Sequence, residues 1–158
     1  MQITRAGEYA VQGATYLARK GPDKLVMIEE VCTKEAIPQS FLAKIFQNLT
    51  REGIVRSQRG VNGGFQLARD PATITVLEIL EAVEGKLVFD RRLSEPAACH
   101  AHNSCSLCDI FTEAQHRAKE IFTNTTLADL TRPKKQVMQR IQAIGRSQSR
   151  KKTAILQH

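Results

Sequence analysis

Apolar residues recur three and four positions apart over most of the chain, broken once by two short β-like runs. That pattern predicts a mainly α protein with a small β-hairpin. From Arg5 to about Ala18, residues Ala6, Tyr9, Ala10, Gly13, Ala14 and Leu17 share one small-residue face, and Thr4 stands where it can cap the helix. Gly21-Pro22-Asp23 ends it. Ile28, Val31, Cys32 and Ala36 at helical spacing predict a second helix, with Cys32 on the apolar face as a small core hydrophobe rather than a ligand. Pro38 suits the first turn of a third helix, whose stripe is Phe41, Leu42, Ile45, Phe46 and Leu49 and whose C-terminal cap is Gly53. Its opposite face carries Ser40, Lys44, Gln47 and Arg51. Two short helices joined tightly, the second with amide and basic groups outward, form a helix-turn-helix pattern.

The next residues sharpen that reading. Ile54 to Gln58 is β-like, Arg59-Gly60-Val61-Asn62-Gly63-Gly64 turns the chain, and Phe65-Gln66-Leu67 returns. Asn-Gly between two such runs is a strong hairpin signal. A hairpin directly after a recognition helix, with Arg56 and Arg59 at its mouth, predicts a winged helix-turn-helix domain over residues 1–85. Thr75-Val76-Leu77-Glu78 is a capping box opening a core helix that Gly85 stops. Residues 86–107 read as an irregular, Cys/His-rich loop. From about Cys108 to Asn124 a longer helix carries Ile110, Phe111, Ala114, Ala118, Ile121 and Phe122. No other predicted element covers that face, so 108–130 is expected to supply a long dimerisation helix and one short turn after it. Val137, Ile141 and Ile144 allow a marginal helix in the last segment, and 146–152 is expected to be unstructured.

Charge divides the chain the same way. The net charge of the 158 residues is +7, but residues 131–158 hold eight Lys/Arg and no Asp/Glu, while residues 71–130 hold five against nine. The last segment is therefore a basic, flexible tail by composition. No apolar run is long enough to span a membrane, and the polar opening Met1-Gln2-Ile3-Thr4-Arg5 lacks a signal-peptide core, which points to the cytoplasm. Cys99, Cys105 and Cys108 fall within ten residues. Three cysteines cannot pair off among themselves, and in a reducing compartment a metal or cluster explains them better than disulfides. Cys99-His100-x-His102-x-x-Cys105-x-x-Cys108 also has the donors for a zinc site closed from one loop.

Several of these segments together resemble one family, the IscR/NsrR group of bacterial winged-helix transcription regulators, also called the Rrf-two type. The matching residues are Ile3-Thr4 with Tyr9-Ala10, then Pro38-x-Ser40-x-Leu42, then Leu49-x-x-x-Gly53-Ile54-Val55. The wing matches through Arg59-Gly60-x-x-Gly63-Gly64-Phe65-x-Leu67, and later helices through Val76-x-x-Ile79-x-x-Ala82-Val83-Glu84 and Thr126-Leu127-Ala128-Asp129-Leu130. The resemblance covers about residues 1–130 and leaves the basic tail outside it. It implies a homodimer that binds double-stranded DNA at a palindromic operator and holds an iron–sulfur cluster, two-iron or four-iron, in the loop before the dimer helix. Cys99, Cys105 and Cys108 would be its three thiolates. The last ligand would be Glu8 from the partner subunit's first helix, or alternatively His100 or His102.

The leading function is then a repressor whose affinity for DNA follows the state of a cluster that senses redox, nitric oxide or iron–sulfur status. The alternatives are the same regulator with zinc or no metal, and, less well supported, a redox protein. Gln39, Ser40, Lys44 and Gln47 would reach bases or phosphates in the major groove, while Arg56, Arg59 and Asn62 would serve the wing. No nucleophile elbow, phosphate loop or paired-carboxylate constellation is present, and the glycine-rich run lies between strands rather than opening a helix, so an enzyme is not expected.

Overall fold

The computed structural model describes residues 3–60, 63–89 and 106–155. Helix α1 (Arg5–Lys20) starts at Thr4, whose hydroxyl accepts from the Ala6 N–H, and runs past its predicted end. Its small residues let other elements close on it. Ala10, Ala14 and Leu17 have no exposed surface, and a Cβ on Gly13 would stand 3.0 Å from the Phe46 ring.

Helix α2 (Ile28–Glu35) and helix α3 (Gln39–Arg51) form the helix-turn-helix. The turn is tight because Ala36 adopts a left-handed conformation, φ 54°, and the Ile37 N–H reaches back to the Cys32 carbonyl at 3.0 Å. Cys32 is half-buried against the core, and burial together with the nearby Glu29 charge pushes its thiol pKa up, which disfavours the thiolate. Leu42, Ile45, Phe46 and Leu49 are buried as the stripe predicts. Phe41 is not: it is 57% exposed, its ring edge-on to Tyr9 with centroids 6.5 Å apart. At about 100° per residue Phe41 falls on the border of the stripe, away from the buried Leu42, Ile45, Phe46 and Leu49.

Helix α3 ends in a complete Schellman motif. Gly53 takes φ 67°, its N–H bonds the Thr50 carbonyl at 3.1 Å, and the Ile54 N–H bonds that of Leu49 at 2.9 Å. Strand β1 (Val55–Gln58) then pairs antiparallel with β2 (Gly64–Leu67), in register Val55 to Leu67 and Gln58 to Gly64. Val26 adds one more rung, exchanging backbone hydrogen bonds with Phe65 at 2.9 Å each way. Gly64 is needed there, since a Cβ would lie 2.7 Å from the Val26 carbonyl oxygen.

Helix α4 (Val76–Glu84) opens with the predicted capping box, Thr75 and Glu78 each bonding the other's N–H. Burial pushes the Glu78 carboxyl pKa up, but the Thr75 N–H and the Arg69 guanidinium at 2.8 Å more than offset this and hold it below the ordinary value. Helix α5 (Ser106–Thr123) is the helix expected from about Cys108, and α6 (Leu127–Leu130) follows as a single capped turn. Thr75 bridges Thr126, and the Leu127 N–H bonds the Ile74 carbonyl at 2.9 Å, so the chain after α5 is stitched back to the start of α4.

The last element corrects an expectation. Helix α7 (Lys134–Ile155) continues through 146–152, where no structure was expected. After Pro133 the segment holds no further proline and a single glycine, and Lys, Arg, Gln and Ala are good helix formers. Among the described residues no helix is long and apolar enough to cross a membrane.

Candidate functional site

Helix α3 is pinned from below by its buried stripe, which fixes the outward direction of the residues opposite. Gln39, Ser40, Lys44 and Gln47 are all exposed, and Ser40, Lys44 and Gln47 follow one another at intervals of four and three along a single face. Gln39 is partly committed, its side-chain amide donating to Glu29 at 2.9 Å across the turn. Beside this face runs a groove of about 420 Å³, bounded by Gln47 and Thr50 of α3 and by Ser57, Gln58, Arg59 and Phe65 of the hairpin. The Phe65 ring rests 4.9 Å from Phe46, so the hairpin is seated directly on α3. Arg59 is exposed at the groove's end. Asn62, also expected on the wing, lies outside the described residues.

The two wing arginines differ. Arg56 lies on the strand face opposite Ser57 and Phe65, because successive residues of a strand point to opposite sides. With its carboxamide oriented to satisfy both neighbours, the buried Gln66 accepts from the Arg56 guanidinium and donates to the Asp23 carbonyl at 3.2 Å. The Asp23 carboxylate stands 3.9 Å from the same guanidinium. Arg56 thus braces the hairpin stem against the turn between α1 and α2. Sequence spacing treats Arg56 and Arg59 alike, and only strand parity separates them.

Of the expected metal ligands, Cys108 is half-buried in the first turns of α5, and the Thr112 hydroxyl donates to its carbonyl at 2.8 Å. Glu8 is exposed on α1. Cys99 and Cys105, with His100 and His102, lie outside the described residues. Among the described residues no three His, Cys, Asp or Glu side chains stand together as a metal site.

Glu84 is a contact that periodicity does not reveal. Its Oε1 accepts from the Thr4 N–H at 3.1 Å, the Thr4 hydroxyl at 2.6 Å and the Gly7 N–H at 3.0 Å. The last residue of α4 therefore caps the start of α1, beside Glu8 in the chain. The partners lie 80 and 77 positions apart in the chain. The only trace of them in the sequence is an acidic residue at the end of a core helix.

A family model described as "Iron-dependent Transcriptional regulator" matches residues 3–133. A putative HTH-type transcriptional regulator of Aquifex aeolicus is 35% identical over 124 residues, which is 77% of this chain and 85% of that one. The HTH-type transcriptional regulator IscR of Yersinia pseudotuberculosis is 29% identical, with 82% of this chain and 79% of that protein covered. Among solved structures, CymR, the global cysteine regulator of B. subtilis, superposes with a TM-score of 0.72 at 22% identity, covering 83% of this chain and 96% of its own, a likeness of fold. IscR of T. potens gives a TM-score of 0.67 at 25% identity, covering 82% and 85%.

Proposed function

The chain belongs to the Rrf2 family of iron-dependent transcriptional regulators, and from that premise we propose a cytoplasmic homodimer that represses from a palindromic operator. That it is a DNA-binding regulator and not an enzyme follows from the family and from the regulator names of its relatives. The observation that carries the finer reading is the unbroken surface from the exposed face of α3 through the groove to Arg59. Gln39, Ser40 and Gln47 offer amides and a hydroxyl to base edges, which is how the major groove is read. Lys44 supplies a phosphate contact, Arg59 with Asn62 serves the adjacent minor groove, and Arg56, expected from the sequence to join them, instead braces the hairpin stem through Gln66 and Asp23.

The test is binding to operators selected from random duplexes by the full chain. Arg59→Ala is expected to weaken operator binding by ~1–3 kcal/mol and to relax preference at one position. Lys44→Ala is expected to weaken binding uniformly and to reduce the salt slope by about one unit. Parent-like binding by both variants across salt would refute this use of the surface.

The residues proposed for the cluster are Cys99, Cys105 and Cys108 of one subunit and Glu8 of the other. Three thiolates and one carboxylate form a fitting donor set, because iron–sulfur clusters are held by thiolates and tolerate a harder ligand in one position. Cys32, with its raised thiol pKa and its place against the core, does not belong to the set. The cluster would supply a redox-sensitive and labile group there. Cys108 opens α5, α5 packs on α4, and α4 through Glu84 holds the start of α1. Regulation then requires only that two seatings of α5 differ in their affinity for DNA. Glu8→Ala is expected to dimerise and keep some iron, with a shifted absorption spectrum and faster iron loss after anaerobic purification. His100→Ala and His102→Ala should leave the spectrum unchanged. The reverse pattern, or zinc in place of iron on elemental assay, would move the site to residues 99–108 of a single subunit.

A further inference from the structure

Helix α7 begins where the family match ends. The match stops at residue 133 and α7 runs from Lys134 to Ile155, about 33 Å at 1.5 Å per residue. The segment 131–158 holds eight Lys/Arg and no acidic residue. Yet this basic helix is attached to the body at a buried acid. Asp129 is 2% exposed, caps α6 by accepting from the Thr126 N–H at 3.1 Å and its hydroxyl at 3.0 Å, and also receives Arg140 at 2.9 Å and Arg132 at 3.4 Å. One carboxylate therefore closes the short helix and holds the long one, which also contacts α5. Buried charges are retained where they are paired and hydrogen-bonded, and both conditions are met here.

We propose that α7 is a second, sequence-independent DNA-binding element: a basic helix that Asp129 fixes to the regulator, so that its remaining cations meet the phosphates flanking the operator. The inference rests on the DNA-binding reading above and adds a surface that the family match does not include. Lys134 and Lys135 are exposed at the start of α7, and Arg146, Arg150, Lys151 and Lys152 follow along it. Neutralising phosphates with such residues releases counterions, which makes affinity salt-dependent without regard to base sequence. An anionic membrane would also attract positive charge. Residues 131–158 contain no Phe or Trp, however, the residues that commonly anchor an interfacial helix in lipid, so the duplex is the better fit.

The experiment compares the full chain with a variant in which Lys134, Lys135, Arg146, Arg150, Lys151 and Lys152 are all replaced by Gln. Binding to a selected operator and to a random duplex is measured from low to moderate salt, and thermal unfolding checks that the variant folds. The slope of log affinity on log salt is expected to become shallower by about two to five units on both duplexes, at about 0.9 per lost phosphate contact. Affinity for random DNA at low salt should fall roughly 10- to 100-fold, with the operator-to-random ratio kept within about threefold. An unchanged slope overturns the proposal. So does a collapse of the ratio with random binding intact, which would make α7 a base reader. A loss confined to binding of phosphatidylserine vesicles overturns it in favour of a membrane surface. Should the parent show no operator preference at all, the reading of α3 fails, while the slope on random duplex still decides the role of α7. The anchor has its own readout: Arg140→Gln is expected to speed proteolytic cutting within 134–155 while changing the slope by no more than about one unit.

Discussion

Phe46→Ala is expected to destabilise the fold by ~3–5 kcal/mol and to remove DNA binding at 37 °C with it. Phe46 has no exposed surface and stands where three elements meet: its own helix α3, the glycine face of α1 at Gly13, and the hairpin through Phe65. Truncating it opens a cavity between helices that cannot slide together, because Leu42, Ile45 and Leu49 hold α3 at its present distance. A loss of that size is a large fraction of the ~5–15 kcal/mol that typically separates folded from unfolded domains. Urea unfolding measures it directly. A loss below ~1.5 kcal/mol, or a variant that is fully folded and still binds, would mean that the hairpin is held by its backbone pairing alone.

The second large effect is expected at α5. Ile110→Glu should convert the proposed dimer to monomer and lower affinity for a palindromic operator by about 10²–10⁴-fold, since the two half-sites then bind independently. Ile110 is the most informative position because it is 62% exposed in the single chain, so a charge there costs the protomer little. Ile121 and Phe122 are half-buried within the protomer, and a charge at either would confuse unfolding with dissociation. Ile110, Ala114 and Ile121 share one side of α5 at helical spacing. Light scattering at micromolar concentration decides the matter. A monomeric parent, or a dimeric Ile110→Glu protein, would place the contact elsewhere.

Local chemistry was readable in the sequence; contacts between distant residues were not. Thr75 with Glu78, Thr4 before α1 and Gly53 after α3 are signals contained within a few residues, and each stands in the structure where spacing puts it. The exposed face of α3 was equally legible, because Ser40, Lys44 and Gln47 need only a helix with its opposite side buried. Phe41 was misplaced because periodicity ranks faces but does not say which border position finds room. Glu84, the Arg140 pair of Asp129 and the Gln66–Arg56–Asp23 brace join polar groups across elements, and nothing in their own neighbourhood announces these partners. In α7, reading charge as disorder outweighed reading helix propensity, and the ion pairs to Asp129 that hold the helix to the body come from outside its own segment.

The bracing of the hairpin bears on the thermodynamics of recognition. Its stem is fixed by backbone bonds to Val26, by the Phe65 ring on Phe46, and by Arg56 through Gln66 and Asp23. On the proposed reading, a stem fixed in this way loses little backbone freedom on meeting a duplex, so the ordering cost of binding falls mainly on the contacting side chains. Association should then behave as docking of a preformed shape, with steering by charge governing the encounter and the fit of the contacts governing the lifetime.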